Sequence, residues 1–272
     1  AFITKYLAKR HGIPFVYTEH RTLEHMLLKT STAKRVEQNV AAAASSRIGV
    51  SRGHVDHLEN RFGALEWRYL PNLLPGALED ADLQQRSGAD SQGEYAFGHM
   101  SMLQDKKHVD RLIDAFAVVH ADDPTVRLII GGGGETRSKL EEQVRHLGIE
   151  DAVTFLGEVS RNEIPDFYQS IDSFVLPSRT EPMGVVQIEA LASGVPVIST
   201  RTWGGETVIG DGDGLLVDID DHDQLVAAMK TMRNWDETDA DRAARRQRTI
   251  DRFGRKAFVE RYRKVYNKAL GR

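Results

Sequence analysis

The sequence contains no cysteine, which excludes a disulfide framework and a cysteine-ligated metal site. It has no apolar run of the length that a membrane-spanning helix requires. No secretory signal pattern, long repeat or low-complexity tract is present. The net charge of -4 lacks the basic excess that is typical of nucleic-acid-binding proteins. We therefore expect a cytoplasmic protein with no nucleic-acid partner.

The chain has 272 residues, of which 40% are hydrophobic and 28% charged, enough for one large or two modest globular domains. Short apolar runs alternate with amphipathic stretches, as over 126–130 and 108–120. This alternation predicts an α/β fold with parallel strands. Residues 75–93 are weakly periodic and contain Pro, Gly, Gln and Ser, so we expect a linker there. It would separate a domain over 1–74 from a second domain over 94–250.

The most informative stretch of the sequence is 174–200. An apolar run over 174–176 predicts a buried strand that ends at Pro177, and a polar loop follows over 178–184. A compact helix begins at Val185, Gly194 fits its C-terminal cap, and the next strand begins at Val195. In a parallel sheet, such a loop opens at the carboxyl edge, where ligands bind.

The start of this predicted helix has the features of an anion site. Gly184 lets the backbone approach a ligand closely, and we expect free amides at Gly184, Val185 and Val186. Two carboxylates flank the site, Glu181 in the loop and Glu189 about one turn into the helix. Amides for a phosphate beside acids for hydroxyls suit a nucleotide sugar. The residues alone leave a second reading open, in which both acids are solvated side chains on an ordinary βαβ unit.

The same stretch resembles the E-x7-E signature of the retaining glycosyltransferases with the GT-B fold, the group 1 glycosyltransferases. The matching residues are Glu181, Pro182, Gly184, Glu189, Ala190, Ala192, Gly194, Pro196 and Val197. The resemblance implies two Rossmann-like domains that face a cleft. The first would be incomplete, because the family's opening strand and glycine-rich loop have no counterpart before Ala1. Residues 251–272 resemble the closing helix, which returns toward the first domain.

The function that the resemblance implies is transfer of a sugar from a nucleotide-diphospho-sugar to an acceptor hydroxyl, with retention and without a metal or other cofactor. The acceptor could be a glycan, a lipid-linked molecule or a small molecule. Peripheral contact with the inner face of the membrane stays open. The alternative is a non-catalytic nucleotide-sugar-binding or scaffold subunit, which the missing half-domain and Met102 motivate.

The resemblance also assigns roles to single residues. Glu181 would hold the donor-sugar hydroxyls, Glu189 the ribose, and Lys107 the diphosphate. His20 would lie across the cleft near the donor sugar, where its imidazole could hydrogen-bond the sugar or the developing charge. Met102 stands where the family has an arginine that grips the diphosphate. Either Lys106 supplies the second charge, although a lysine cannot replace a bidentate arginine fork, or donor binding is weak. Ser101 replaces the family's glycine just before it.

Two glycine-containing stretches complete the set of candidates. The run 131–134 does not fit G-x-G-x-x-G because the third glycine is missing, which argues against a nicotinamide-dependent dehydrogenase. Gly132 and Gly134 match the family's G-x-G, and Gly157 with Glu158 match a stretch that faces the nucleotide base. The alternatives are a flexible turn for the first stretch and a plain strand end for the second.

A cluster of arginines near the C-terminus is open to two interpretations. It could contact an anionic membrane, or it could be an ordinary basic helix face. Its members are Arg242, Arg245, Arg246 and Arg248.

Overall fold

The computed structural model of the chain describes residues 2–20, 31–63, 65–81 and 94–272. The chain divides into two compact units, Ala1–Leu73 with Arg255–Arg272, and Leu74–Gly254. Every strand pairing that the structure describes is parallel, so the predicted α/β class with parallel sheets is confirmed.

The described elements run in chain order as follows. The helices are α1 (Phe2–His11), α2 (Ser31–Ala43), α3 (Arg52–Phe62), α4 (Gly76–Glu79), α5 (Val109–Asp122), α6 (Arg137–Leu147), α7 (Ile164–Gln169), α8 (Val185–Ala192), α9 (Trp203–Val208), α10 (His222–Arg233), α11 (Asp239–Phe253) and α12 (Arg255–Ala269). The strands are β1 (Val16–Glu19), β2 (Ser46–Gly49), β3 (Arg68–Tyr69), β4 (Tyr95–Met100), β5 (Val126–Gly131), β6 (Val153–Gly157), β7 (Ser173–Leu176), β8 (Val197–Thr200) and β9 (Gly214–Val217).

The first unit contains a three-stranded sheet in the order β1-β2-β3 among its described residues. Ser51 is the N-cap of α3 and accepts a hydrogen bond from the His54 amide at 3.3 Å. Leu58 and Phe62 of α3 pack with Trp67 in one small core. α12 packs through Val265 in a second small core. Each core holds only a few side chains, as expected for a short sheet.

The second unit contains a six-stranded sheet in the order β6-β5-β4-β7-β8-β9 among its described residues. The chain builds outward from β4 through β5 to β6, and then returns to the other side of β4 with β7. The strand order therefore reverses between β4 and β7. At such a switch point the loops after the two strands diverge, and the carboxyl edge of the sheet opens into a crevice. The topology places the loops over 101–108 and 177–184 at this crevice.

Several elements differ from the sequence-based expectation. β8 begins at Val197 rather than at Val195, because the intervening Pro196 cannot donate a backbone hydrogen bond to a ladder. Of the predicted linker, 82–93 lies outside the described residues, whereas 76–79 forms α4, which packs on α8 in the second unit. The apolar pattern of 239–253 did not predict α11, which begins with a capping box between Thr238 and Asp241.

The arginines of α11 hold that helix to the second unit. Arg245 is 1% exposed, pairs with Glu237 and donates to the Gly194 carbonyl at 2.8 Å. Arg246 donates to carbonyls at the C-terminal ends of α8 and α4, and Arg248 pairs with the buried Asp213. All three side chains thus have protein acceptors, and Arg248 is also exposed. No helix in the described ranges is both long and apolar enough to cross a membrane.

Candidate functional site

The two loops at the switch point are joined by a short ion pair. The loop after β4 ends in a 3₁₀ turn over Asp105–Lys107. The Lys107 ammonium donates to Glu181 Oε2 at 2.6 Å, and both side chains are mostly buried. In the backbone, the Arg179 amide donates to the Lys106 carbonyl at 2.9 Å. The structure thus brings together two predicted site residues, Lys107 and Glu181, from distant parts of the sequence.

Gly184 shapes the start of α8. Its φ of 66° lies in the left-handed region, and a Cβ there would lie 2.5 Å from Gln187 Nε2 and 2.9 Å from Glu181 Cγ. Its amide donates to Glu181 Oε1 at 3.1 Å, so the prediction of a free amide at Gly184 is wrong. The amides of Val185 and Val186 have no hydrogen-bond acceptor among the described residues. Because they begin a helix, they remain able to bind an anion.

The β7–α8 loop is fixed by further hydrogen bonds to the region after β8. The Thr200 hydroxyl donates to the Ser178 carbonyl at 2.6 Å, and the Gly204 amide donates to the Glu181 carbonyl at 2.8 Å. Both bonds involve the loop backbone, so its path does not depend on a ligand. A site whose groups are positioned in advance binds with a smaller loss of conformational entropy.

Asp220 links the start of α5 to the same loop. Its carboxylate lies 3.3 Å from His108 Nδ1, 3.2 Å from an Arg111 nitrogen and 3.3 Å from an Arg179 nitrogen. His108 and Asp220 both have left-handed backbones, with φ of 51° and 67°, which is unfavourable for residues with a Cβ. Burial, followed by the Arg111 charge, lowers the pKa of His108. The ion pairs of Asp220 with Arg111 and Arg179 tie the two loops together at a second place.

Glu189 lies in a different environment from Glu181. It is 7% exposed, and its Oε2 lies 3.0 Å from the Tyr168 hydroxyl oxygen, which also lies 2.9 Å from the Val186 carbonyl oxygen. Burial raises the pKa of Glu189 above its usual value of 4.5 and raises the pKa of Tyr168 well above 10.0. The alternative of two solvated acids is wrong, because one is buried and the other is paired with a lysine.

His99 and Ser101 form a buried pair at the end of β4. The His99 ring has Nδ1 2.8 Å from the Val175 carbonyl oxygen and Nε2 2.8 Å from Ser101 Oγ. Burial lowers the pKa of His99 to about 4, so the ring is neutral near pH 7. A carbonyl only accepts, so Nδ1 carries the proton and Nε2 accepts from the Ser101 hydroxyl. Next to Ser101, Met102 is 65% exposed.

Gly132 and Gly134 allow the loop after β5 to pack closely against the chain after β4. The Gly132 amide donates to the Gly157 carbonyl at 2.6 Å. A Cβ on Gly132 would lie 1.8 Å from the Ser101 carbonyl oxygen, and one on Gly134 would lie 2.2 Å from the Leu103 carbonyl oxygen. Close backbone packing thus explains these glycines without a ligand. Gly157 is buried at the end of β6, and the Glu158 side chain is exposed.

His20 lies in the first unit, directly after β1. Its side chain is exposed, and its amide donates to Glu19 Oε1 at 3.0 Å. In the part of the chain that the structure describes, no three histidine, aspartate or glutamate side chains are grouped to hold a metal ion.

Sequence reasoning missed two residues that shape the site, Tyr168 and His99. Tyr168 belongs to the apolar face of a short helix, and His99 lies inside a buried strand. Both patterns are typical of core residues. A buried histidine and a tyrosine each need a polar partner, which is the only signal that the sequence offered.

Comparison with known protein families identifies the chain. The family model described as "Glycosyl transferases group 1" matches residues 80–248. The chain belongs to this family. Among curated proteins, mannosylfructose-phosphate synthase of Agrobacterium fabrum is 36% identical to this chain over 162 residues. That match covers 56% of this chain and 35% of the relative.

Two further relatives extend the similarity. D-inositol 3-phosphate glycosyltransferase of Frankia alni is 29% identical over 237 residues, which cover 78% of this chain and 58% of the relative. The chain spans about half the length of the curated relatives that it matches. The crystal structure of Anabaena Alr3699/HepE in complex with UDP superposes with a TM-score of 0.83 at 24% identity, over 98% of this chain and 75% of that one. The prediction of the GT-B fold is confirmed.

Proposed function

We propose that the protein is a retaining glycosyltransferase that moves a sugar from a nucleotide-diphospho-sugar to an acceptor hydroxyl without a metal ion. The observation that carries this proposal is the arrangement at the start of α8. An ammonium, two unbonded amides and a fixed carboxylate meet at the switch point of a doubly wound sheet. Together these groups can bind the diphosphate and the sugar of a nucleotide sugar at the same time.

In this proposal the cation and the amides act on the leaving group. The Lys107 ammonium and the amides of Val185 and Val186 stabilise the negative charge that grows on the diphosphate as the glycosidic bond breaks. Glu181, held by Lys107 and by the Gly184 amide, accepts hydrogen bonds from the donor-sugar hydroxyls. Glu189 accepts a hydrogen bond from the ribose.

The stereochemical course follows from the state of the acids. Glu181 already accepts two hydrogen bonds, and Glu189 is buried, so neither is a free nucleophile. Given the retention that the family resemblance implies, we propose front-face transfer. The acceptor hydroxyl attacks from the side that the diphosphate leaves, and its proton passes to the departing diphosphate oxygen. A trapped glycosyl-enzyme adduct would contradict this step. We further propose that His20 hydrogen-bonds the donor sugar or the developing charge when the donor is bound.

The relatives suggest where to look for substrates. The HepE structure contains UDP, so UDP-sugars are the first donors to test. The curated relatives are named for products or acceptors that include a sugar phosphate, an inositol phosphate and a diacylglycerol glycolipid. We therefore propose a phosphorylated small molecule, a lipid-linked molecule or a glycan as the acceptor class.

The test is an activity panel with labelled UDP-, GDP- and ADP-sugars. We expect release of the nucleoside diphosphate with at least one donor, and transfer when a suitable acceptor is added. Lys107→Ala should abolish turnover, whereas Lys139→Ala, which removes an exposed lysine of α6, should not. Saturable binding of a donor without any turnover would contradict the enzyme and support a non-catalytic nucleotide-sugar-binding subunit.

A further inference from the structure

Two oxygen atoms lie within hydrogen-bond distance of the Tyr168 hydroxyl, which has a single proton to donate. Its oxygen lies 2.9 Å from the Val186 carbonyl oxygen and 3.0 Å from Glu189 Oε2. A tyrosine hydroxyl has one proton to donate, and burial keeps that proton in place by raising the pKa of Tyr168. A carbonyl oxygen can only accept. If Glu189 were an ionised carboxylate, two acceptors would compete for one proton.

A single arrangement of protons satisfies both contacts. In it, the Tyr168 hydroxyl donates to the Val186 carbonyl, and Glu189 Oε2 carries a proton that it donates to the Tyr168 oxygen. The ionised alternative would share one proton between two acceptors. The buried carboxylate would then have to share its hydrogen-bond donor with the Val186 carbonyl, which is costly in a low-dielectric site.

Among the described residues, no cation forms an ion pair with Glu189, and the causes of its pKa shift are burial and Tyr168. On α11, which packs on α8, Arg245 donates to the Gly194 carbonyl and pairs with Glu237, and Arg246 donates to the Ala192 carbonyl. On α4, the ionisable side chain is that of Glu79, an acid. On α7, the ionisable side chains are those of Asp166 and Tyr168.

The strands beneath α8 add no charge either. β7 and β8 consist of apolar, serine and threonine residues, so they carry no side chain that ionises near pH 7. The nearby ion pair of Lys107 is with Glu181.

We propose that Glu189 is a neutral carboxylic acid in the donor-free protein, and that Tyr168 is the positioning residue that holds it. Its Oε1 then has carbonyl character and accepts a hydrogen bond from a hydroxyl of the nucleotide ribose. A neutral group at this place adds no negative charge beside a diphosphate that already carries several. The statement about the ribose rests on the proposed function, whereas the statement about the proton does not.

The protonation of Glu189 can be tested without any ligand. Carbon-13 NMR of protein labelled at the glutamate carboxyl carbon, with Glu189→Gln to identify the signal, measures the titration of Glu189. We expect Glu189 to keep its proton above the usual glutamate pKa of 4.5. Titration near the usual value of 4.5 would overturn the proposal.

Tyr168→Phe separates the two proton arrangements in the same experiment. If the acid donates to Tyr168, loss of that acceptor destabilises the neutral form and lowers the pKa of Glu189. If Tyr168 instead donates to a carboxylate, loss of the donor raises that pKa. A raised value in Tyr168→Phe would therefore contradict the proposal, even where wild type titrates above 4.5.

The pH dependence of stability gives a second readout. Because the folded protein keeps a proton that the unfolded chain loses above about pH 4.5, the stability from Glu189 is present below that pH and is lost as pH rises through the raised pKa. The free energy of unfolding of wild type should fall, relative to Glu189→Gln, as pH rises through this window. A constant difference would contradict the proposal.

The proposed contact between Glu189 and the ribose is tested separately, with UDP and its deoxyribose analogues. Wild type should prefer UDP by about tenfold, the effect of one hydrogen bond, and Glu189→Ala should lose the preference. A preference that survives in Glu189→Ala would overturn the ribose contact and leave the proton result standing. Failure of every nucleotide to bind would instead count against the proposed function.

Discussion

Glu181 and Glu189 lie on either side of the start of α8, and the protein holds them in opposite ways. Glu181 accepts from the Lys107 ammonium and from the Gly184 amide, at the open edge of the sheet. Glu189 is buried against Tyr168, and burial raises its pKa. The same residue type thus provides a paired charge at one place and a proton-holding group at the other.

The difference shows that a motif specifies side chains without specifying their ionisation. A carboxylate beside an ammonium stays charged because the ion pair favours that form. A carboxyl that loses its hydration without gaining a cation favours the neutral form. The environment that decides between the two comes from Lys107 after β4 and from Tyr168 in α7.

The sharpest way to break this comparison is to make the same substitution at both positions. Glu181→Gln removes a charge that Lys107 balances, and we expect a loss of about 100-fold in kcat, similar to the loss of one preorganised electrostatic contact. Glu189→Gln replaces a neutral acid with a neutral amide that can still donate to Tyr168, so its loss should be about tenfold smaller. Steady-state kinetics with the preferred donor measures both variants.

Equal losses in the two glutamine variants would contradict the comparison. A larger loss in Glu189→Gln would show that its negative charge is needed. Circular dichroism of each variant controls for misfolding.

The backbone at Gly184 is the second place to test the account. Gly184→Ala adds a Cβ at a φ of 66° and only 2.5 Å from Gln187 Nε2. We expect a loss of about 2 kcal/mol or more in the free energy of unfolding, from left-handed strain and from the clash. Weaker donor binding should accompany it, because the amide that holds Glu181 moves.

Gly148→Ala is the matched control for this substitution. Gly148 has a φ of 65° with no atom within 4 Å of an added Cβ, so it incurs only the left-handed strain of about 1–2 kcal/mol. Chemical denaturation of both variants separates strain from clash. Equal stabilities, together with unchanged donor binding in Gly184→Ala, would show that the loop does not depend on this contact.

Met102 offers the smallest expected effect. Its side chain is exposed beside Ser101, where the family has an arginine. Met102→Arg adds a fork of donors near the diphosphate, and we expect about tenfold tighter binding of a nucleoside diphosphate from one charge-assisted contact. Isothermal titration calorimetry measures it, with Met102→Leu as the uncharged control. Equal affinities of the two variants would place the diphosphate away from this position.

The sequence predicted the local unit around the site because local signals define it. Pro177 ends β7, Gly184 precedes α8, and Gly194 follows it, as the turn chemistry requires. The partners of the two acids were harder to predict, because they come from elsewhere in the chain. Lys107 is 74 residues from Glu181, and its assignment rested on family resemblance rather than on any local pattern.

The strand order could not be predicted, and α11 was expected only as one of two interpretations of its arginines, for different physical reasons. The reversal between β4 and β7 depends on which strands pair, and periodicity carries no information on pairing. α11 has few apolar residues, and arginine-to-carbonyl bonds from Arg245 and Arg246 hold it in place. An apolar stripe is the signal that sequence reasoning uses for a helix, and this helix does not depend on one.

The central claim is that backbone amides at the start of α8 bind a diphosphate, and amide NMR tests it most directly. Protein labelled with nitrogen-15 at valine is titrated with UDP and, separately, with uridine, which lacks the phosphates. We predict that the amides of Val185 and Val186 shift most with UDP and little with uridine. Shifts that are equal for the two ligands, or that leave Val185 and Val186 unchanged while UDP binds, would contradict the claim.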